Sequence, residues 1–211
     1  MEPEAYIKDP CRASSLPFWK TVQTEIPPHI TVVRDEEMTE KTYVGTDEPF
    51  FKMIHFFKPV PDTALPDGFV LTGVEPEELE EHIRKCYETE RVTADELHTL
   101  TGTAVYDAEL WIAVRDRTTG QIAASGIGAL DACIGEGVLD WIQVSPAYRR
   151  RGLGAFVVCE LLRRMQKKAA FATVSGRINN PTHPIELYRS CGFTDPVIWH
   201  VITKTPQEKE K

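Results

Sequence analysis

The sequence lacks any CxxC pair: its five cysteines, Cys11, Cys86, Cys133, Cys159 and Cys191, are odd in number and far apart. That argues against a disulfide framework and a cysteine zinc site, and fits a reducing cytoplasm. The six histidines, at 29, 55, 82, 98, 183 and 200, show neither HxxxH nor HxH spacing, so no metal is expected. Long apolar runs are missing too. The most apolar segment, Ile122–Leu130, is interrupted by Ser125 and two glycines and stops at Asp131, well short of the roughly 18 residues that a membrane span needs. The opening residues, MEPEAYIKDP, have neither the basic nor the apolar region of a signal peptide, and none is expected. Positive charge is also scarce. With 24 Lys and Arg against 32 Asp and Glu the net charge is −8, and the pI is near 5.3. Such a balance argues against non-specific binding to nucleic acid or anionic lipid, and it permits attraction of a cationic substrate.

What is present is ordinary globular material: 42% hydrophobic and 27% charged residues over 211 positions, enough for one full domain with an extension. Nine of the 15 prolines fall in the first 66 residues, a density that breaks long helices. Residues 1–66 therefore read as an extension of short strands and loops, with strands over Ile30–Arg34 and Pro49–Phe57. From Phe69 the pattern changes. FVLTGVE predicts a strand, and EPEELEEHIRKCYE a helix with Leu79, Ile83, Cys86 and Tyr87 on one face. Thr93 with Glu96 reads as a capping box for a short helix. Strands over Leu110–Arg115, Gln121–Asp131 and Gly137–Val144 form a meander. A helix over Leu153–Lys168, a strand over Ala170–Ser175, a helix from Pro184 closed by Gly192, and a strand over Val197–Thr203 follow. The main domain is placed at 67–205 and a flexible tail at 206–211.

The segment RRRGLGA, Arg149–Ala155, sits between a predicted strand and a strongly periodic helix. Gly152 and Gly154 let the main chain turn sharply and approach a ligand, so that successive N–H groups and the positive helix end can face phosphate oxygens. Arg149, Arg150 and Arg151 add charge. GxGxxG and GxxxxGK[ST] both fail at Val157, which argues against the common dinucleotide and nucleotide loops.

These residues resemble the GNAT acetyltransferase superfamily, whose pyrophosphate loop, Arg/Gln-x-x-Gly-x-Gly/Ala, is matched by Arg149, Gly152 and Gly154. The preceding Val144, Pro146 and Tyr148 match as well, and ELYRSCGF, Glu186–Phe193, resembles the family's second signature. The resemblance spans about Phe69 to Thr203. It implies an α/β fold with a mixed, mostly antiparallel central sheet flanked by helices, preceded here by the N-terminal extension. It also implies acetyl-CoA as co-substrate, a pyrophosphate site at Arg149, Arg150, Arg151, Gly152, Leu153, Gly154 and Ala155, and pantetheine pairing with the backbone of Ile142, Gln143 and Val144. Asn180 lies near the family's cofactor-contacting asparagine, although the spacing leaves Asn179 or a plain turn open. His183, just before Pro184, reads as a helix-start residue.

The implied activity is acetyl transfer to a primary amine, small-molecule or peptide, by direct transfer in a ternary complex. The alternative is an inactive acyl-CoA sensor. Tyr188, in the family's tyrosine position, is the candidate acid for the leaving thiolate, against a purely packed aromatic. On GVLDWIQV, Asp140 alternates onto the face of Ile142 and Val144 and is the candidate base. Glu136 is a second choice, read as a turn acid. A monomer or homodimer in the cytoplasm, with no nucleic-acid or membrane partner, completes the expectation.

Overall fold

The computed structural model describes residues 1–39, 45–87 and 91–204. The predicted tail lies outside these. Eight strands form one sheet: β1 (Ile30–Arg34), β2 (Thr46–His55), β3 (Phe69–Gly73), β4 (Tyr106–Asp116), β5 (Ile122–Asp131), β6 (Glu136–Val144), β7 (Phe171–Arg177) and β8 (Thr194–Thr203). Their order is β1-β8-β2-β7-β6-β5-β4-β3. Every pairing is antiparallel except β6 with β7, so the mixed, mostly antiparallel sheet is as the resemblance implies.

One face is covered by α6 (Leu153–Met165), whose Val157, Val158, Leu161, Leu162 and Met165 are buried. The helix comes close because β5 offers no side chain at Gly126, where a Cβ would stand 2.7 Å from Val157 Cγ1. The other face is shared. Over β3 to β6 lie α4 (Pro76–Cys86) and α5 (Ala94–Thr101), burying Leu79, Ile83 and Leu97 against Trp111, Ala113 and Ile127. Both open with a capping box, Glu75 with Glu78 and Thr93 with Glu96, so orphan N–H groups at each start are satisfied locally.

The remainder of that face is covered by the N-terminal segment, and here the sequence reading needs correction. Residues 1–21 carry three short helices, α1 (Pro3–Lys8), α2 (Pro10–Ala13) and α3 (Phe18–Thr21), rather than strands and loops alone. Pro3 and Pro10 occupy first-turn positions, where the missing N–H costs nothing, so proline density here starts helices instead of preventing them. Strand β2 lies between β7 and β8 in the sheet.

A buried polar network ties this segment down. Lys52 on β2, 1% exposed, donates to Tyr6 Oη and to the carbonyls of Pro10, Ser14 and Leu16 at 2.8–3.1 Å. Tyr6 Oη in turn donates to Glu136 Oε1 at 2.7 Å, which also accepts from Thr173, while Glu136 Oε2 accepts from Phe18 N. Burial pushes Lys52 down to about 8. Glu136 is thus the first residue of β6 and a fully buried acceptor. Its reading as a turn acid and reserve base is corrected: it has no exposed surface, and Tyr6, Thr173 and Phe18 donate to its two carboxylate oxygens.

Candidate active site

Strand β6 leads into the site. It pairs with β7 only from Glu136↔Phe171 to Leu139↔Val174, and residues 140–144 continue along β5 alone. The two parallel strands therefore part beside Ile142, Gln143 and Val144, the stretch expected to offer free backbone groups. The Ile142 carbonyl accepts from Tyr87 Oη at 3.3 Å, and the Tyr87 and Trp141 rings meet edge-on.

A bulge sits at the parting. Ser125 faces Gln143 but Ile127 faces Asp140, so three β6 residues span two of β5, and Trp141 takes the left-handed φ of 47°. The bulge breaks the alternation on which the placement of Asp140 rested. Ile142 and Val144 pack with the α6-side core, whereas Trp141 packs with the α4-side cluster. Asp140 lines a cavity with Trp111 and Ile127. It therefore does not share a face with Ile142 and Val144. Asp140 is half-exposed: its Oδ1 accepts from Trp141 N at 2.9 Å, and Oδ2 lies 3.8 Å from Lys20 Nζ.

The glycine loop follows a 3-10 turn over Pro146–Tyr148. Tyr148 pins it, donating from Oη to Asp116 Oδ2 at 3.1 Å with its ring against Phe69. Arg150 and Gly152 have φ of 63° and 78°, folding the chain so that α6 begins at Leu153 without a side-chain cap. The amides of its first turn have no i−4 partner, as at any helix start. A Cβ on Gly152 would meet nothing within 4 Å, so this side of the loop is open. Arg149, Arg150 and Arg151 are exposed; Arg149 Nε donates to the Val144 carbonyl, and Arg151 lies over the Tyr148 ring. An open, uncapped helix start ringed by three arginines suits a pyrophosphate.

Tyr188 projects from α7 (Pro184–Ser190) and is 6% exposed, its ring set between Phe51 and Phe193. Burial first, then Tyr87, Asp140 and Cys191, push its hydroxyl far above the ordinary tyrosine range, so it keeps its proton. Asn180 is turned to local work: its Oδ1 accepts from Thr182 N and Oγ1 at 2.9 and 2.8 Å. His183 stands at the N-cap position of α7 with φ 48° and no side-chain cap.

The sequence reading missed a second set of residues on the opposite side of Gln143. His82, in the apolar stripe of α4, bridges Ser125 Oγ through Nδ1 at 2.7 Å and Ser145 Oγ through Nε2 at 2.8 Å. Because Ser145 Oγ donates to the Ile122 carbonyl, it accepts from His82 Nε2–H. Nδ1 then accepts from Ser125, which accepts from Gln143 Nε2 at 2.6 Å. The chain of bonds fixes a neutral imidazole, and burial pushes His82 down to about 4. Ser145 opens the glycine loop, so α4 helps hold that loop in place. The available signal was the position of His82 between Leu79 and Ile83 on the inward face.

Comparison with known proteins fits this geometry. Residues 106–195 match the family model of the acetyltransferase (GNAT) domain. No curated protein matches the chain by sequence. Among solved structures, the GCN5-related N-acetyltransferase from Sphaerobacter thermophilus superposes with a TM-score of 0.65 at 18% identity, over 83% of this chain and 62% of that one. This chain thus spans about three fifths of that protein. The ribosomal-protein-S18-alanine N-acetyltransferase from Escherichia coli gives a TM-score of 0.50 at 17% identity, over 68% of this chain and 99% of that one. Ard1 from Thermoplasma volcanium gives 0.51 at 15%, over 64% and 98%. The chain has the GNAT fold, and its residues 106–195 match the family model of the GNAT acetyltransferase domain.

Proposed function

We propose that the protein is an acetyl-CoA-dependent N-acetyltransferase acting on a primary amine by direct transfer in a ternary complex. The observation that carries this reading is the parting of β6 from β7 at Leu139, which opens toward the uncapped glycine start of α6. Acetyl-CoA supplies an activated thioester when bound. The amides of Gly152, Leu153, Gly154 and Ala155, with Arg149, Arg150 and Arg151, hold its pyrophosphate, and the backbone of Ile142, Gln143 and Val144 aligns its arm.

Asp140 takes the proton from the substrate ammonium, directly or through a water, and is reached from the face covered by α4, α5 and the N-terminal segment. Tyr188, held protonated by burial, delivers a proton to the departing sulfur, and the second proton that the nitrogen loses as the amide forms restores the Tyr188 hydroxyl. A backbone N–H beside Ile142 supports the charge that develops on the carbonyl oxygen. Five free cysteines support a reducing compartment such as the cytoplasm, and no helix among the described residues is long and apolar enough to cross a membrane. The test is thiol release from acetyl-CoA against a panel of amines. Release that depends on an amine is expected; a melting-temperature rise with acetyl-CoA but no release with any amine would identify a binding-only domain.

A further inference from the structure

Strand β6 meets the N-terminal segment at two points. At its first residue, Glu136 Oε2 accepts from Phe18 N at 2.9 Å. Further along, Asp140 Oδ2 lies 3.8 Å from Lys20 Nζ. The short helix α3 that carries Lys20 is held in place: Lys20 N donates to the Pro17 carbonyl at 3.1 Å, Thr21 Oγ1 donates to the Phe18 carbonyl at 2.7 Å, and the Phe18 ring packs against Tyr6. The main chain at Lys20 is therefore anchored to the strand that bears the candidate base. Trp19 lines a cavity with Asp140, and the Lys20 ammonium stands 5.1 Å from the Trp19 ring centre. A carboxylate beside an aromatic ring suits an alkylammonium.

The ammonium itself is loosely held. Lys20 and Asp140 are both partly exposed, and 3.8 Å is too long for a direct hydrogen bond, so the pair contributes little and is readily exchanged. Lys52 is the contrast: fully buried, its Nζ donates to four oxygens. Lys85 and Lys168 differ in another way, since each sits 2.7 Å from a carboxylate, Glu81 or Asp107, with no part in the proposed reaction. Asp140 stands two positions before Ile142 on the strand proposed to align the thioester arm, roughly 7 Å of extended chain. A fixed backbone with a loose primary amine at that place is the arrangement a tethered nucleophile requires.

We infer that Lys20 is an acceptor within its own chain: the protein acetylates itself at Lys20 Nζ. The inference rests on the acetyltransferase reading with Asp140 as base. Asp140 takes one proton from the Lys20 ammonium and passes it to solvent. The nitrogen bonds to the acetyl carbon as the thioester C–S bond breaks, Tyr188 protonates the sulfur, and the second proton lost by the nitrogen restores the Tyr188 hydroxyl. The product is a stable amide and not an intermediate, so the reaction stops at one acetyl group per chain. It also removes a positive charge, which releases Asp140 from its ion pair.

Mass spectrometry of the protein incubated with acetyl-CoA and no added amine tests the inference. One acetyl group is expected at Lys20, forming at least about tenfold faster than at Lys85 or Lys168, with one equivalent of thiol released. The rate per chain is expected to stay the same when the protein is diluted at fixed acetyl-CoA. Asp140→Asn is expected to bring Lys20 down to the rate of the two reference lysines, and Lys20→Arg, which keeps the cation, to remove the amine-free thiol. Acetylation no faster than at the reference lysines, a rate per chain that falls on dilution, or indifference to Asp140→Asn overturns the assignment. Thiol release with added amines separates the two claims. Release with amines but no acetyl group at Lys20 rejects self-acetylation and keeps the transferase, whereas an unmodified Lys20 with no release from any amine rejects both.

Discussion

Gly154 and Leu187 lie against one another where the first turn of α6 meets α7: a Cβ built on Gly154 would stand 3.3 Å from Leu187 Cδ2 and 3.5 Å from Val144 Cγ2. The glycine therefore serves packing as well as any ligand. Gly154→Val pushes on α7, which carries Tyr188, so its effects mix fold and binding. Gly152 separates them, since a side chain there meets open space and the penalty is the left-handed backbone alone, about 1–2 kcal/mol. Gly152→Ala is expected to lower stability by that amount in urea denaturation and to weaken acetyl-CoA binding by calorimetry. Gly154→Val is expected to lose more stability. Unaltered acetyl-CoA affinity in a folded Gly152→Ala protein would remove this loop from the cofactor site.

For Tyr188, removal of the hydroxyl leaves the ring between Phe51 and Phe193. Tyr188→Phe is expected to lower kcat by about 10²–10⁴ while acetyl-CoA binding stays near wild type. Full turnover in the Phe protein would leave Tyr188 a packing residue only.

His82 makes stability depend on pH. Its folded value, pushed down to about 4 by burial, then by Lys85 and Arg115, lies below the ordinary 6.5. Above 6.5 both states are neutral there. As pH falls from 6.5 toward 4 the unfolded chain takes up a proton that the fold refuses, and roughly 3 kcal/mol of stability is lost over that window. Denaturant titrations at pH 7 and pH 5 are expected to show a shallower acid loss in His82→Gln than in the wild type, after the variant's own cost at pH 7 is subtracted. Parallel losses would show that His82 does not drive the acid sensitivity.

The course of the chain from Phe69 onward was legible because its signals are local: the capping box at Thr93, the apolar stripe of α6, and Gly192 closing α7 with φ 96°. The glycine loop was legible for the same reason. Three features were not. The N-terminal helices depend on Lys52 gathering carbonyls from Pro10 to Leu16, contacts of 36 to 42 residues' separation. The bulge at Trp141 depends on how β5 and β6 align, and period-2 alternation carried across it put Asp140 on the wrong face. The His82 bridge depends on Ser125 of β5 and Ser145 just beyond β6, both distant from it in sequence.

The proposed role of Asp140 as base rests on its position beside Lys20, on a cavity wall shared with Trp19. Asp140→Asn keeps the shape and removes the proton acceptor. Its loss in kcat/KM is expected to be largest at low pH, with rate recovering as the amine itself deprotonates at high pH. A loss that is even across pH indicates a structural role, and wild-type rates with an unaltered acidic limb exclude Asp140.

Direct transfer requires an amine and acetyl-CoA to meet in one site, and initial rates over a grid of both concentrations test that most directly. Direct transfer predicts turnover that needs both substrates, with double-reciprocal lines that intersect and free thiol appearing in step with acetylated amine. Parallel lines, which signal an acetylated protein intermediate, or saturable acetyl-CoA binding without any turnover, would contradict it.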